Sequence, residues 1–485
     1  MAYYAPVIRW AGLRNKNEYD AVIVGSGPNG LAAAITFAKV GRSVLVLEAQ
    51  EHIGGCTRSA ALTLPGFTHD VCSAVHPMAV ASPFFRSLPL QEHGLEWVHP
   101  PLCLAHPLDD SSAAVIDHSL QRTCAELGAD AGAYQSIIGS IAANWQSLQD
   151  DLLGPIGFSY HPVRMARFGM HALQPAARLA RAHFRTERGR ALFAGLAAHS
   201  LMPLDAWGTA AIGLVIGAVA HVAGWPIAKG GSQRIADALT SYLRSLGGEL
   251  ATGVRVNSLK ELPPAKAVLC DVSPRGLLEI AGDHFPASYR AALERYDYGA
   301  GVFKVDWALR APIPWKAAPC RKAGTVHIGG TLEEIARAEQ EGCTNMHSER
   351  PFVLLSQASL FDPTRAPAGQ HTAWAYCHVP SGSTADMTER LEGQIERFAP
   401  GFRELVLARS TRNTTQLEKE NANLVGGNVT GGANSLRQIF LRPSLRHYET
   451  PLRNIYLCSA STPPGGGVHG MCGFHAASLA LARMG

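Results

Sequence analysis

The chain has 485 residues, of which 47% are hydrophobic and 17% charged, with a net charge of +4 from 43 basic and 39 acidic residues. That length accommodates two domains with sizeable cores, and the composition excludes an intrinsically disordered chain. So balanced a charge gives no footprint for nucleic acid.

The ten cysteines are scattered without a CxxC pair. This excludes the usual zinc-ribbon and dithiol-redox signatures, leaves no metal motif, and suits a reducing compartment. Residues 1–18, "MAYYAPVIRWAGLRNKNE", lack the apolar core of a signal peptide, so the expected location is the cytoplasm.

The first predicted elements are a strand over Ala21–Val24, a glycine turn, a helix over Leu31–Val40 stopped by Gly41, and a strand over Ser43–Leu47. Gly25, Gly27 and Gly30 stand at GxGxxG spacing around Ser26. Gly25 allows the turn, Gly27 lets a pyrophosphate approach the backbone, and Gly30 lets helix and strand pack closely. The anion would meet free N–H groups at the helix N-terminus. Glu48 lies 23 residues after Gly25, near the spacing of about 20 expected of a ribose-binding acid. Strand, turn, helix, strand and acid agree on a dinucleotide site.

Farther along, Tyr160–Arg190 carries seven arginines among apolar residues. The pattern suits either peripheral contact with an acidic membrane surface or a solvated face with locally paired arginines. Trp207–Trp225 is 19 residues without a formal charge, close to the length of a membrane span, but its glycines and His221 favour a buried helix or hairpin. Gly230, Gly231 and Ser232 then precede an amphipathic helix ended by Gly247 and Gly248, and short strands are expected around Gly253–Val256 and Ala267–Cys270. The C-terminus repeats the opening device: a strand over Ile455–Cys458, a glycine-rich loop, and a helix from about Met471. Two such turns at opposite ends of the chain suggest an extended, two-part ligand such as FAD.

Four segments together carry a family likeness: the GxGxxG with Glu48, then "EHIGGCTRS", "KGGSQRIADAL" and "PGGGVHGMCG". In this order they resemble the phytoene-desaturase-like FAD-dependent oxidoreductases, which include carotenoid desaturases and isomerases. The resemblance implies an α/β fold with a Rossmann-like FAD-binding domain of glutathione-reductase/amine-oxidase type and an inserted α+β substrate domain. Residues 18–90, 226–285 and 440–485 would form the FAD-binding domain, and 91–225 and 286–439 the substrate-binding cap.

The resemblance further implies that Gly25, Ser26, Gly27 and Gly30 form the pyrophosphate turn and Glu48 holds the ribose. Gly54 and Gly55 would pass near the flavin, with Arg58 near the phosphates or flavin and Val256 at the adenine. Gly467, Val468, Gly470 and Met471 would face the pyrimidine side of a non-covalently bound isoalloxazine, where a helix dipole stabilises the reduced ring. The strand before that last loop departs from the family, reading Cys458, Ser459, Ala460 where a glycine and an acid often stand.

Only one complete dinucleotide fingerprint is present. The expected reaction is therefore hydride removal from an apolar or amphipathic substrate, with electrons passed to oxygen, a quinone or another external acceptor. A redox-neutral flavin isomerase and a flavin-free escort-type binding protein are the alternatives. His469 in the glycine loop and His76 in "DVCSAVHPM" are the candidate proton acceptors, with His199 a third.

Overall fold

The computed structural model describes residues 18–157 and 159–485; most of the N-terminal stretch read above for a signal peptide lies outside the described residues. The opening unit is β1 (Tyr19–Val24), α1 (Pro28–Lys39) and β2 (Val44–Leu47). β3 (Leu102–Pro107) and β4 (Ala113–Ile116) begin a second sheet. Helices α2 (Pro162–Ala172), α3 (Thr209–Val222) and α4 (Gln233–Ser245) follow, then β5 (Glu249–Ala251) and β6 (Ala265–Cys270).

The second sheet resumes with β7 (Gly301–Leu309), β8 (Ala323–Ile328), β9 (Val353–Ser356), β10 (His371–Val379) and β11 (Val406–Arg412). The chain closes with α5 (Leu436–Phe440), β12 (Ile455–Leu457) and α6 (Met471–Met484).

The first sheet has the order β12-β6-β1-β2-β5 and is parallel throughout. β1 lies at its centre, with Val24 opposite Leu47 on one side and Cys270 on the other. A parallel sheet buried on both faces reads as unbroken apolar runs, as "AVIV" and "VLVL" do. Helix α6 packs across α1 closely enough that a Cβ on Gly473 would overlap the carbonyl of Asn29. The two ends of the chain thus share one core. The fold is Rossmann-like α/β with an inserted α+β unit.

The second sheet has the order β11-β7-β10-β9-β8-β3-β4 and is antiparallel except where β8 pairs with β3. One face, with Val305, Trp307, Val326, Leu355 and Ala375, packs on Phe398 and Phe402. The other looks back toward the first sheet.

One expectation shifts and one holds. The short strand lies at Glu249–Ala251 rather than Gly253–Val256, because the Gly253 and Val254 amides donate to the Gln50 and Glu48 carbonyls outside the ladder. Trp207–Trp225 contains helix α3, and no helix among the described residues is long and apolar enough to cross a membrane.

Candidate functional site

Gly25, at φ +104°, turns the chain out of β1, and its N–H donates to Leu47 O at 2.8 Å. Helix α1 starts at once, with Gly27 as N-cap, Pro28 in its first turn, and no side-chain bond from the N-cap itself. A helix start favours an anion, and part of that demand is met from within the protein. Behind it stands Asp271, at the end of β6, whose Oδ2 accepts the Gly30 N–H at 2.9 Å. A Cβ on Gly25 would lie 2.9 Å from Asp271 O, and one on Gly27 would lie 2.7 Å from Asp271 Oδ2. A Cβ on Gly30 would overlap the Gly25 carbonyl. Burial and the charge on Glu48 push the Asp271 carboxyl up to about 7, against the lowering effect of the Gly30 N–H.

Glu48 is buried at the end of β2. Its Oε2 accepts from Ser26 N at 2.9 Å and Ser26 Oγ at 2.6 Å, and its Oε1 accepts from Gln50 N at 2.9 Å. The acid is thereby aimed along the turn. Residues 253–256 pair alongside it and bring Val256 to the same wall.

A single cavity of about 990 Å³ begins here and crosses the molecule. Gly25, Ser26, Gly27, Glu48, Gly55, Arg58 and Val256 line its first part, and Gly467, Val468, His469 and His76 its middle. Gly30, Gly54, Gly470 and Met471 lie behind the lining rather than on it. Gly54 donates to Ser26 O at 3.1 Å, and a Cβ on it would lie 2.8 Å from the Ala236 side chain. Gly470, at φ +68°, is the N-cap of α6 and packs on Phe84 and Ala32.

The two candidate histidines are buried, and burial pushes each down to about 4. His469 Nδ1 accepts the Met471 N–H at 3.0 Å, so this ring caps α6. His76 Nε2 lies 3.0 Å from Ser232 Oγ, while its Nδ1 is buried without a partner. His199 also faces the cavity, pushed down to about 3 by burial, with its Nε2 3.0 Å from His327 Nε2. All three are neutral imidazoles at pH 7.

The far part of the cavity is walled by the inner face of the second sheet. Lys304, Thr325, Ser356, Trp374 and Tyr376 line it beside Val302 and Leu354. The Lys304 ammonium pairs with Asp306 and lies 5.5 Å from the centroid of the Trp374 ring. Thr325 Oγ1, Ser356 Oγ and Trp374 Nε1 are buried without partners. Buried polar groups are almost always satisfied, so these donors and acceptors await a ligand atom or water. Cys56 and Cys72 also meet on the wall, and the contact with Cys72, together with burial, holds the Cys56 thiol well up.

The residues present fit an extended dinucleotide. Its one end has glycine backbone, a helix start and an aimed carboxylate; its middle has a second helix start. Sequence reasoning missed Asp271, Lys304, the Thr325–Ser356 pair and the Cys56–Cys72 contact. Lys304 and Asp306 had a signal, since two charges at i and i+2 interrupt one face of the apolar run "GVFKVDWAL".

Fold and site together define a Rossmann-like, dinucleotide-binding scaffold. Residues 23–88 match the NAD(P)-binding Rossmann-like domain. Over nearly its whole length the chain is similar to pyridine nucleotide-disulfide oxidoreductase domain-containing protein 2 of Rattus norvegicus, 26% identical over 96% of this chain and 93% of that one. It is also similar to one subunit of the limonene dehydrogenase of Castellaniella defragrans, 20% identical over 96% and 95% of the two chains. Among solved structures it resembles an oxidoreductase from Methanosarcina mazei, with TM-score 0.64 and 16% identity over 95% of this chain and 99% of that one. Putrescine oxidase bound to putrescine gives TM-score 0.63 and 16% identity over 96% and 99%. The relatives are oxidoreductases, and the solved structures share the fold.

Proposed function

We propose that the chain is an FAD-dependent oxidoreductase of the phytoene-desaturase-like kind, which takes a hydride from a C–H bond of a largely apolar or amphipathic molecule. The observation that supports this most is the continuity of the cavity. It joins the first glycine turn, the last glycine turn and a partly polar sheet face in one passage. A nicotinamide dinucleotide would need only the first turn and a second site for its partner; FAD uses both turns. In this reading residues 18–90, 226–285 and 440–485 hold the cofactor and the remainder shapes the substrate cavity.

When bound, FAD supplies the hydride acceptor and passes the electrons to oxygen, a quinone or another external carrier. Ser26, Gly27 and Glu48 would hold its diphosphate and ribose, Arg58 a phosphate or the ring, and Gly467 and Val468 the pyrimidine side. The chain's own contribution at the reacting end is a dry wall of Val215, Ile216, Trp225 and Leu354, which binds an apolar chain and excludes water. His76 and His199, neutral and facing that space, are available to accept a proton. The ten cysteines stand as free thiols, which suits the cytoplasm.

The test is the visible spectrum of the purified protein, followed by denaturation and mass identification of what is released. Released FAD, then anaerobic bleaching by an apolar substrate whose product is two hydrogens lighter, is the expected result. A product of unchanged mass would replace the desaturase with an isomerase. A colourless protein that takes up no FAD would overturn the reading.

A further inference from the structure

We propose that the face around the apolar mouth of the cavity docks onto an anionic lipid bilayer and that substrate enters the cavity from the lipid. The entry route rests on the reading under Proposed function; the docking does not.

The cavity reaches the surface at two places. At the Glu48 end the exposed lining is polar and of mixed charge, with Gln50, His52, Arg255 and Glu279. At the other end the exposed lining is mostly apolar, with Ile156, Tyr160, Leu173 and Phe440 beside a single acid, Asp150. Tyr160 is 75% exposed. Next to these, Val163 and Met170 stand out on α2, Trp207 stands just before α3, and Leu445, 81% exposed, follows α5. These segments form one surface. The Gly208 N–H donates to Leu173 O at 2.9 Å, and Gly208 packs directly on Leu436 of α5. Most of the large hydrophobic side chains that the described residues expose belong to this rim. Concentrated apolar exposure of this kind marks an interaction site.

Charge identifies the partner. The sequence has no Asp or Glu from Leu152 to Thr186, and none from Asn421 to Tyr448, the two segments that flank the mouth. Arg164 and Arg167 on α2, with Arg437 and Arg446 around α5, are exposed and form no ion pair with a described carboxylate. Of the acids bordering the rim, Asp150 is exposed, and the other two are engaged. Asp151 accepts from Ser159 Oγ at 2.8 Å and Tyr160 N at 2.8 Å, and Asp205 pairs with Arg181.

Helix α2 shows how the surface is built. Met165, Phe168 and Ala172 face the cavity, while Val163 and Met170, one heptad apart, face out with Arg167 beside them and Arg164 on the flank. Outward aliphatic side chains among unpaired arginines fit a headgroup layer, where the arginines meet phosphates and the apolar tips enter the acyl boundary. A soluble acidic partner would satisfy the arginines but leave the aliphatic tips without an apolar environment. An apolar substrate dissolved in that bilayer would pass from lipid to cavity wall without crossing water.

The experiment is co-sedimentation with phosphatidylcholine vesicles, with and without phosphatidylglycerol, and bromolipid quenching of Trp207. The protein should pellet with phosphatidylglycerol vesicles at low salt and be released at high salt. R164E/R167E should weaken that binding by at least about tenfold. F440S/L445S, at exposed positions, should weaken it by about tenfold. Brominated acyl chains should quench wild-type fluorescence, and W207F should lose most of the quenching. Failure to pellet at low salt, or wild-type binding by both double variants, would overturn the proposal. So would salt-sensitive binding without quenching, which would leave the apolar tips outside the acyl boundary. None of these readouts needs the cofactor, so a protein that docks but carries no flavin would remove the entry route and leave the docking intact.

Discussion

Along the parallel sheet, β1 and β2 are apolar on both faces, and what they offer the cavity lies past their ends: glycine backbone, helix N–H groups and one carboxylate. Along the antiparallel sheet, β7 and β10 are apolar on one face only, and the opposite face presents Lys304, Asp306, Trp374 and Tyr376 at alternate positions. The difference is one of tolerance. A site made of backbone suffers from any added atom, because Asp271 and the turn fill the space where a Cβ would go. A site made of buried side chains suffers from any removed partner, because the charge left behind has no water to replace it.

The largest effect should come from removing a partner. Lys304→Met would leave the Asp306 carboxylate buried, with Arg412 at 3.9 Å and a neutral His69 at 3.7 Å. Breaking such a buried pair costs about 3–5 kcal/mol, while replacing both members is often neutral. Urea unfolding should therefore show K304M strongly destabilised and K304M/D306L largely restored; equal losses in the two would mean the wall depends on Lys304 packing and not on its charge. Adding an atom comes next. Gly30→Ala should cost about 1–3 kcal/mol and much of the bound dinucleotide, by overpacking the turn. Ser356→Ala, which removes an unpartnered hydroxyl from the other sheet, should change stability by no more than about 0.5 kcal/mol.

The same contrast explains what the sequence could tell. Gly25, Gly27, Gly30 and Glu48 act through spacing along one short stretch, so their pattern is local and legible. The C-terminal loop and helix were legible for the same reason. The second sheet was not, because its strands come from residues 102 to 412 and pair through registers that no local period encodes. Asp271 was hidden differently: it acts by facing glycines more than two hundred positions earlier, and "CDVSP" alone says only that a helix follows. His469 was readable as a loop histidine, but its bond to the Met471 N–H is visible only once α6 is in place.

Glu48 tests whether the legible site also binds as its geometry suggests. Glu48→Gln keeps the shape and one acceptor oxygen but loses the charge that strengthens the bonds from Ser26 and, under the proposed function, would strengthen one from a ribose hydroxyl. A charge-assisted hydrogen bond is worth roughly 1 kcal/mol more than a neutral one. FAD affinity, titrated by flavin fluorescence, should fall by about tenfold, and the cofactor-free protein should itself lose about 1–3 kcal/mol, because the amide nitrogen must face the N–H of Ser26 or Gln50. An unchanged affinity would mean that the carboxylate serves only to hold Ser26.

The effect read against pH concerns Asp271, where the two kinds of site meet: a buried side chain supporting a backbone turn. In the unfolded chain this carboxyl releases its proton near 3.8, and in the folded protein near 7, chiefly because it is buried. Between those values the folded state keeps a proton that the unfolded state has lost. Stability therefore falls as pH rises through that window, by at most about 1.4 kcal/mol per pH unit, and flattens above it. Asp271→Asn keeps an oxygen to accept the Gly30 N–H and removes the titration. Relative to wild type, the variant should gain stability steadily from pH 4 to pH 7, as read from thermal melts of the cofactor-free protein at each pH. Parallel curves would show that the folded carboxyl ionises as readily as an exposed one, through a water path to the cavity that keeps the turn solvated, and the backbone site would then be far less sealed than its packing against Asp271 implies.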